Sequence, residues 1–169
     1  MLKEINTKTH HFFVDENGLK QGECKNFHNN GKLDNHVFYL HDKLHGEHKA
    51  YYDDGVLRVH AFYRNNMING EYKEYHKNGT IRKLAFGKNG NLHGEYKTFF
   101  NNGKLDQHAF FMNGKQHNAF KIYDKEGKLL YATFFYQGTD LHVDPDTLTE
   151  KDKAYIMLSG RLPPKEPSC

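Results

Sequence analysis

The chain has 169 residues, with 24 Lys and Arg against 21 Asp and Glu, 13 His, 2 Cys, 4 Pro and no Trp. A net charge of +3 is too small to argue for nucleic acid, and no apolar run approaches the roughly 20 residues that span a bilayer. Hydrophobic residues make up only 37%, yet 14% are aromatic, which speaks against disorder because disordered segments are poor in aromatics.

The N-terminus, MLKEINTKTHHFF, lacks the apolar stretch of a secretion signal. Cys24 and Cys169 form no disulfide framework and no metal-ligand spacing, which suits a reducing compartment. These features predict a soluble, cytoplasmic chain.

A partial unit, HHFFVDENGLKQ, comes first in the chain. The full unit starts at Gly22 and restarts every 24 residues, at Gly46, Gly70, Gly94 and, weakened, at Asn118. Its fourth column is Lys25, Lys49, Lys73, Lys97 and Lys121, and its sixth is Phe27, Tyr51, Tyr75, Phe99 and Tyr123. Gly31, Gly55, Gly79, Gly103 and Gly127 form the tenth column, and Phe38, Phe62, Phe86, Phe110 and Phe134 the seventeenth.

Each unit reads as two strands. Asn30-Gly31, Asp54-Gly55, Asn78-Gly79 and Asn102-Gly103 are turn dipeptides that reach positive φ cheaply. A second turn follows the Phe column, as in Asn89-Gly90, Asn113-Gly114 and Gln137-Gly138. The intervening segments are too short for helices, so the pattern predicts an antiparallel meander of about eleven or twelve strands. After Leu141 the pattern stops. Thr147 and Glu150 have capping-box spacing, and Gly160 with Pro163-Pro164 supplies a stop, which predicts a helix over 148–159. Its expected role is to cover the last strand against edge-to-edge association, with docking of a partner by the helix or the PPKEP tail as the alternative.

The run GEYKEYHKNGTIRKLAFGKNGNLHGEYKTFFNNGKL resembles the MORN repeat in its Y-x-x-N-G-x-L variant, and the resemblance extends over 22–141. It implies an elongated single-layer β-meander that serves as an assembly platform; lipid binding is proposed for some such proteins, and some bacterial relatives carry an antitoxin label. The chain departs from the better-known form in lacking Trp and the dense Y-x-G-x-W pattern. The expected fold is therefore all-β: a MORN-like repeat region over 1–141, then a capping helix and tail over 142–169.

No catalytic signature stands out, and neither enzyme activity nor a cofactor is expected. His36, His60 and His108 share the fifteenth column, and His45, His93 and His117 the twenty-fourth. Equivalent residues two strands apart are separated by roughly 10 Å, so one column makes no zinc site, and no metal is expected. Glu23, Glu47, Glu71 and Glu95 precede each Lys by two residues and share its face. The expected arrangement is an ion pair within each unit; the alternative is a cation row facing anionic lipid, and nucleic acid is not expected.

Copies that break the template are the better candidates for contact. The third unit has Leu84 where three others have His, and Gly87 where the others have Tyr or Phe. A notch at Leu84 and Gly87 is the expected partner-binding site, with Lys88 beside it and Lys73, Lys97, Tyr75 and Phe99 flanking it. The favoured role is a non-catalytic protein–protein interaction scaffold, with peripheral binding of anionic lipid, or an antitoxin-like neutralising role, as alternatives. The open strand edges make a homo-oligomer a further expectation.

Overall fold

The computed structural model describes residues 1–164. The final residues of the PPKEP tail and Cys169 lie outside the described residues.

Strands β1 (Lys3–Asn6), β2 (His10–Val14), β3 (Lys20–Phe27), β4 (Leu33–Leu40), β5 (Lys43–Tyr51), β6 (Leu57–Arg64), β7 (Met67–Tyr75) and β8 (Ile81–Lys88) pair in chain order, each antiparallel to the last. Along the chain follow β9 (Asn91–Leu92), β10 (Gly94–Phe99), β11 (Leu105–Met112), β12 (Lys115–Gln116), β13 (Asn118–Tyr123), β14 (Leu129–Tyr136) and β15 (Thr139–Asp140). Strand β8 pairs with β10 and β11 with β13, while the short β9 and β12 pair with β8 and β11. The result is one open sheet of 15 strands. The count exceeds the sequence expectation for two reasons. His93 and His117 interrupt what are single strands elsewhere, splitting off β9 and β12. The KEIN segment also supplies a first strand: Glu4 pairs with Phe13 just as Glu23 pairs with Phe38.

The two turn classes differ. Asn89-Gly90 and Asn113-Gly114 have positive φ at both positions, as do Asn65-Asn66 and His41-Asp42, which suits two-residue hairpins between right-twisted strands. The Asn30-Gly31 class has positive φ only at the glycine; His28 N–H donates to Lys32 O at 2.8 Å to close a three-residue loop, and Gly31 N–H donates to His28 O at 2.9 Å within it. The Asn30 side chain accepts from Lys32 N–H at 3.0 Å, which holds the loop in place.

Turns on each side of the ribbon are tied to the next unit. Asn30, Asn78 and Asn102 donate their side-chain amides to the carbonyls of Asp53, Asn101 and Lys125 at 2.8–3.0 Å. On the opposite side, the amides of Asn66, Gly90 and Gly114 donate to Leu44, Ile68 and Leu92 at 2.8–3.0 Å. Units thus lock at both margins as well as through the ladder, so neighbour stacking carries the stability.

The sheet has two unlike faces, because residues alternate along each strand. On one, Val37, Ala61, Ala85, Ala109 and Thr133 form a buried column, the sixteenth of the repeat. From the second unit on, each is directly opposite a larger third-column residue, as in Tyr72↔Ala85, Tyr96↔Ala109 and Phe120↔Thr133, while Val37 is opposite the smaller Cys24. Tyr63 and Tyr72 pack over the cluster of Ala50, Val59 and Ala61. A single sheet thus excludes water from its backbone by laying rings across small side chains. The other face carries the Glu, Lys and seventeenth-column Phe residues.

At the C-terminus, a 3₁₀ turn (Pro145–Thr147) precedes helix α1 (Glu150–Ser159). The capping box is made by Thr149 and Asp152, not by Thr147 and Glu150. Thr147 is taken up by the preceding turn, where its hydroxyl donates to the Asp144 carbonyl. This segment returns over the charged face instead of lying beyond the last edge. Lys121 Nζ pairs with Asp146 at 2.8 Å, and a Cβ on Gly160 would lie 2.7 Å from the Tyr136 ring. Phe134 is consequently 1% exposed and Ile156 0%, whereas Phe62 and Phe86 in the same Phe column are 37% and 46% exposed.

Candidate functional site

On the charged face the fourth-column lysines are held by the glutamate two residues earlier. The Nζ–carboxylate distances are 2.9 Å for Lys25–Glu23, 2.8 Å for Lys49–Glu47, 2.8 Å for Lys73–Glu71 and 2.7 Å for Lys97–Glu95. The ion-pair arrangement expected from the sequence is the one present. A second donor was not anticipated: His36, His60 and His108 bond Glu23, Glu47 and Glu95 across the ladder at 2.8 Å. His11 does the same to Glu4 at 2.9 Å. The lysine hydrogen bonds, more than any other contact, hold Glu23, Glu47 and Glu95 below the ordinary carboxylate value. Each histidine also leans on the Phe two residues on, with ring centroids 4.8–5.2 Å apart for His36–Phe38, His60–Phe62 and His108–Phe110.

Two units depart from this set. In the fifth, the Glu and His positions are Ala119 and Ala132, and Lys121 turns to Asp146 instead. In the third, Leu84 takes the histidine position and Glu71 retains only Lys73.

The expected site residues are distributed over both faces. Lys73, Leu84 and Lys97 form one row across β7, β8 and β10 on the charged face. Gly87 is three residues beyond Leu84 and therefore faces the other way. The expected single notch is accordingly two features, back to back. Tyr75 and Phe99 sit half-buried at strand ends, where their carbonyls accept from Tyr52 OH and His76 Nε2 at 2.7 and 2.9 Å. Lys88 is exposed beside the Asn89-Gly90 turn.

At Gly87 a cleft of about 470 Å³ opens on the aromatic face. Tyr63, Tyr72 and Tyr96 wall it, and Ile68 and Leu92 close it beside Gly87. Burial raises the pKa of Tyr63 and Tyr72, so both stay neutral phenols at the cleft. Gly87 itself is no open slot. A Cβ there would lie 2.4 Å from Ile68 Cγ2 and 3.0 Å from the Ile68 carbonyl oxygen. A large residue at Gly87 therefore strains β7.

Cys24 is buried, and burial raises its thiol pKa, consistent with an inert small residue. His48 and His117 are pushed down by desolvation. Among the described residues no group of three or more His, Cys, Asp and Glu has the geometry to hold a metal, and no helix is long and apolar enough to cross a membrane.

The sixteenth column escaped the sequence reading. Its signal was present as Val37, Ala61, Ala85, Ala109 and Thr133, all small or β-branched residues at one period. The cross-strand histidine bonds had no comparable signal, because they depend on register.

No curated protein matches the chain. Four windows, residues 20–41, 44–65, 68–89 and 92–113, match the MORN repeat variant, together just over half of the chain. With its 24-residue hairpin units stacked into one open sheet, the chain belongs to the MORN repeat variant family.

Proposed function

We propose that the protein is a non-catalytic interaction scaffold that holds a partner protein against the third repeat. The observation that carries this reading is the cleft of about 470 Å³ walled by Tyr63, Tyr72 and Tyr96, at the unit where the aromatic column is broken by Gly87. Binding sites are typically concave and aromatic-lined, and tyrosine supplies contact area at low entropic cost. The tight turn-to-turn hydrogen bonds at both margins supply a rigid frame for such a surface.

The charged face lends less to the alternative of an anionic lipid. Lys25, Lys49, Lys73 and Lys97 each have a carboxylate within 2.9 Å, so the row is a set of ion pairs and not a line of free cations.

The test is site-specific photo-cross-linking in extract of the native host, with the cross-linker at the exposed rim residue Asn91 or at the distant exposed residue His41. One discrete protein adduct is expected from Asn91 and absent from His41. Equal labelling from both positions, or none from either, overturns the reading.

A further inference from the structure

We propose that the cleft beside Gly87 receives an aromatic side chain projecting from the partner protein, which supplies the ring that the third repeat lacks. This deepens the scaffold reading and rests on it.

The argument comes from the repeat itself. In neighbouring units the third-column ring is matched by a ring in the eighteenth column on the adjacent strand. His48 meets Tyr63 with centroids 5.6 Å apart, Tyr96 meets Phe111 at 5.7 Å, and Phe120 meets Phe135 at 6.1 Å. The last two pairs are edge-to-face, the favoured geometry for aromatic rings. In the third repeat the third-column residue is Tyr72, and its eighteenth-column counterpart is Gly87. Tyr72 is therefore the one tyrosine of this column whose matching position carries no side chain.

Ile68 leans towards Gly87, but one isoleucine does not fill the space of a ring, and about 470 Å³ stays open between Tyr63, Tyr72 and Tyr96. The floor is Ala85, 5% exposed, so the bottom of the cleft is apolar and already excluded from water. An incoming ring would meet Tyr72 as Phe111 meets Tyr96, with its face or edge against a neutral phenol. An aliphatic side chain would gain burial there without the ring-to-ring term. A charged side chain would lose its hydration against the Ala85 floor, and Lys83, the cation on the lining, is already paired with Glu74 at 3.5 Å.

The experiment is an NMR titration of the full chain with N-acetyl-tryptophanamide, N-acetyl-phenylalaninamide and, as the aliphatic probe, N-acetyl-leucinamide. Saturable shifts are expected at the amides of Gly87, Gly90 and Leu92, with the aromatic probes binding about two- to tenfold tighter than the leucine probe. Asn91→Trp places a ring at the exposed rim and is expected to weaken the aromatic probes by a similar factor. Equal affinity for the leucine probe, shifts spread evenly over all repeats, or no saturation each overturn the proposal. The two readings fail separately. A cross-linked partner at Asn91 that the aromatic amides do not displace retains the scaffold and removes the aromatic anchor. Saturable aromatic binding without any cross-linked protein removes the scaffold.

Discussion

His36 Nε2 lies 2.8 Å from Glu23 Oε1, across the ladder between β3 and β4. The same oxygen receives Lys25 Nζ at 2.9 Å, so one carboxylate serves two donors from two strands. Because the motif recurs at Glu47 and Glu95, the charged face is a series of closed local sets, and each copy that breaks it can be tested by comparison with its neighbours.

Restoring the set in the third repeat is the simplest such test. Leu84→His places an imidazole opposite Lys73, as His60 stands opposite Lys49. The variant is expected to gain up to about 1 kcal/mol in urea unfolding, the modest figure reflecting a partly exposed pair. His60→Leu should lose a similar amount. A Leu84→His variant no more stable than the parent would show that the histidine bonds contribute nothing net.

The acid limb of stability should have two parts. His48 and His117 have pKa values below the ordinary 6.5 because burial disfavours the charged ring, so the unfolded chain takes up more protons as pH falls below about 6.5. Stability present above that pH is lost through this first window. Glu23, Glu47 and Glu95 are depressed below 4.5 by their lysines, so a second loss follows as pH falls below about 4.5. His48→Tyr, the residue of the third and fourth units, is expected to shrink the first window to the part that His117 supplies and to leave the second unchanged. Urea midpoints measured from pH 7.5 to 3 check both.

The contact between Gly87 and Ile68 predicts a coupled pair. Gly87→Ala pushes a Cβ to 2.4 Å from Ile68 Cγ2 and should cost about 1–3 kcal/mol, as overpacking does. Ile68→Ala in the same chain should recover part of that loss, making the double-mutant coupling favourable. Additive losses would mean that the strain falls on the Ile68 carbonyl and not on its side chain.

The buried column makes a further test of how thin the core is. Ala61 is 0% exposed beneath Tyr63 and Tyr72. Ala61→Leu should cost about 1–3 kcal/mol in urea unfolding, because no second layer exists to take up the added volume except by lifting the rings. The same change at Ala85 is expected to cost less, since the cleft at Gly87 offers adjacent space.

The C-terminal segment is predicted to protect the charged face at its end. Deleting residues 145–169 removes Asp146 from Lys121 and uncovers Phe134. Increased binding of a hydrophobic dye and concentration-dependent association by light scattering are the expected outcomes. Ile156→Ala, which empties a fully buried position, should cost about 2–5 kcal/mol for the docking of this segment, read by protection of the Phe134 amide from hydrogen exchange.

Much of this architecture was legible in local features. The 24-residue period, the Asn-Gly and Asp-Gly turns and the short aromatic segments specify a meander of hairpins, because turn chemistry and alternation act within a few residues. The Glu–Lys pairs were legible for the same reason, since both members lie two apart on one strand. Gly87 and Leu84 stood out as breaks in their columns, but one notch was expected where the sheet has two opposite faces.

What only the tertiary structure decided is whatever depends on register and on distant chain. The ladder shifts at the same point in each unit, between Asn26 and Phe27, Ala50 and Tyr51, Glu74 and Tyr75, and Thr98 and Phe99. A one-residue slip reverses every side chain beyond it, so no pattern of columns could say that His36 meets Glu23 or that Gly87 opens beside Tyr72. The return of Asp146 to Lys121 joins residues 25 apart through a turn outside the repeat, and nothing periodic encodes it. The low apolar fraction seen first has its physical reason in the same place. One sheet with rings laid over a column of small residues needs no thick interior, and its charges are spent on pairing within the face instead of forming a basic surface.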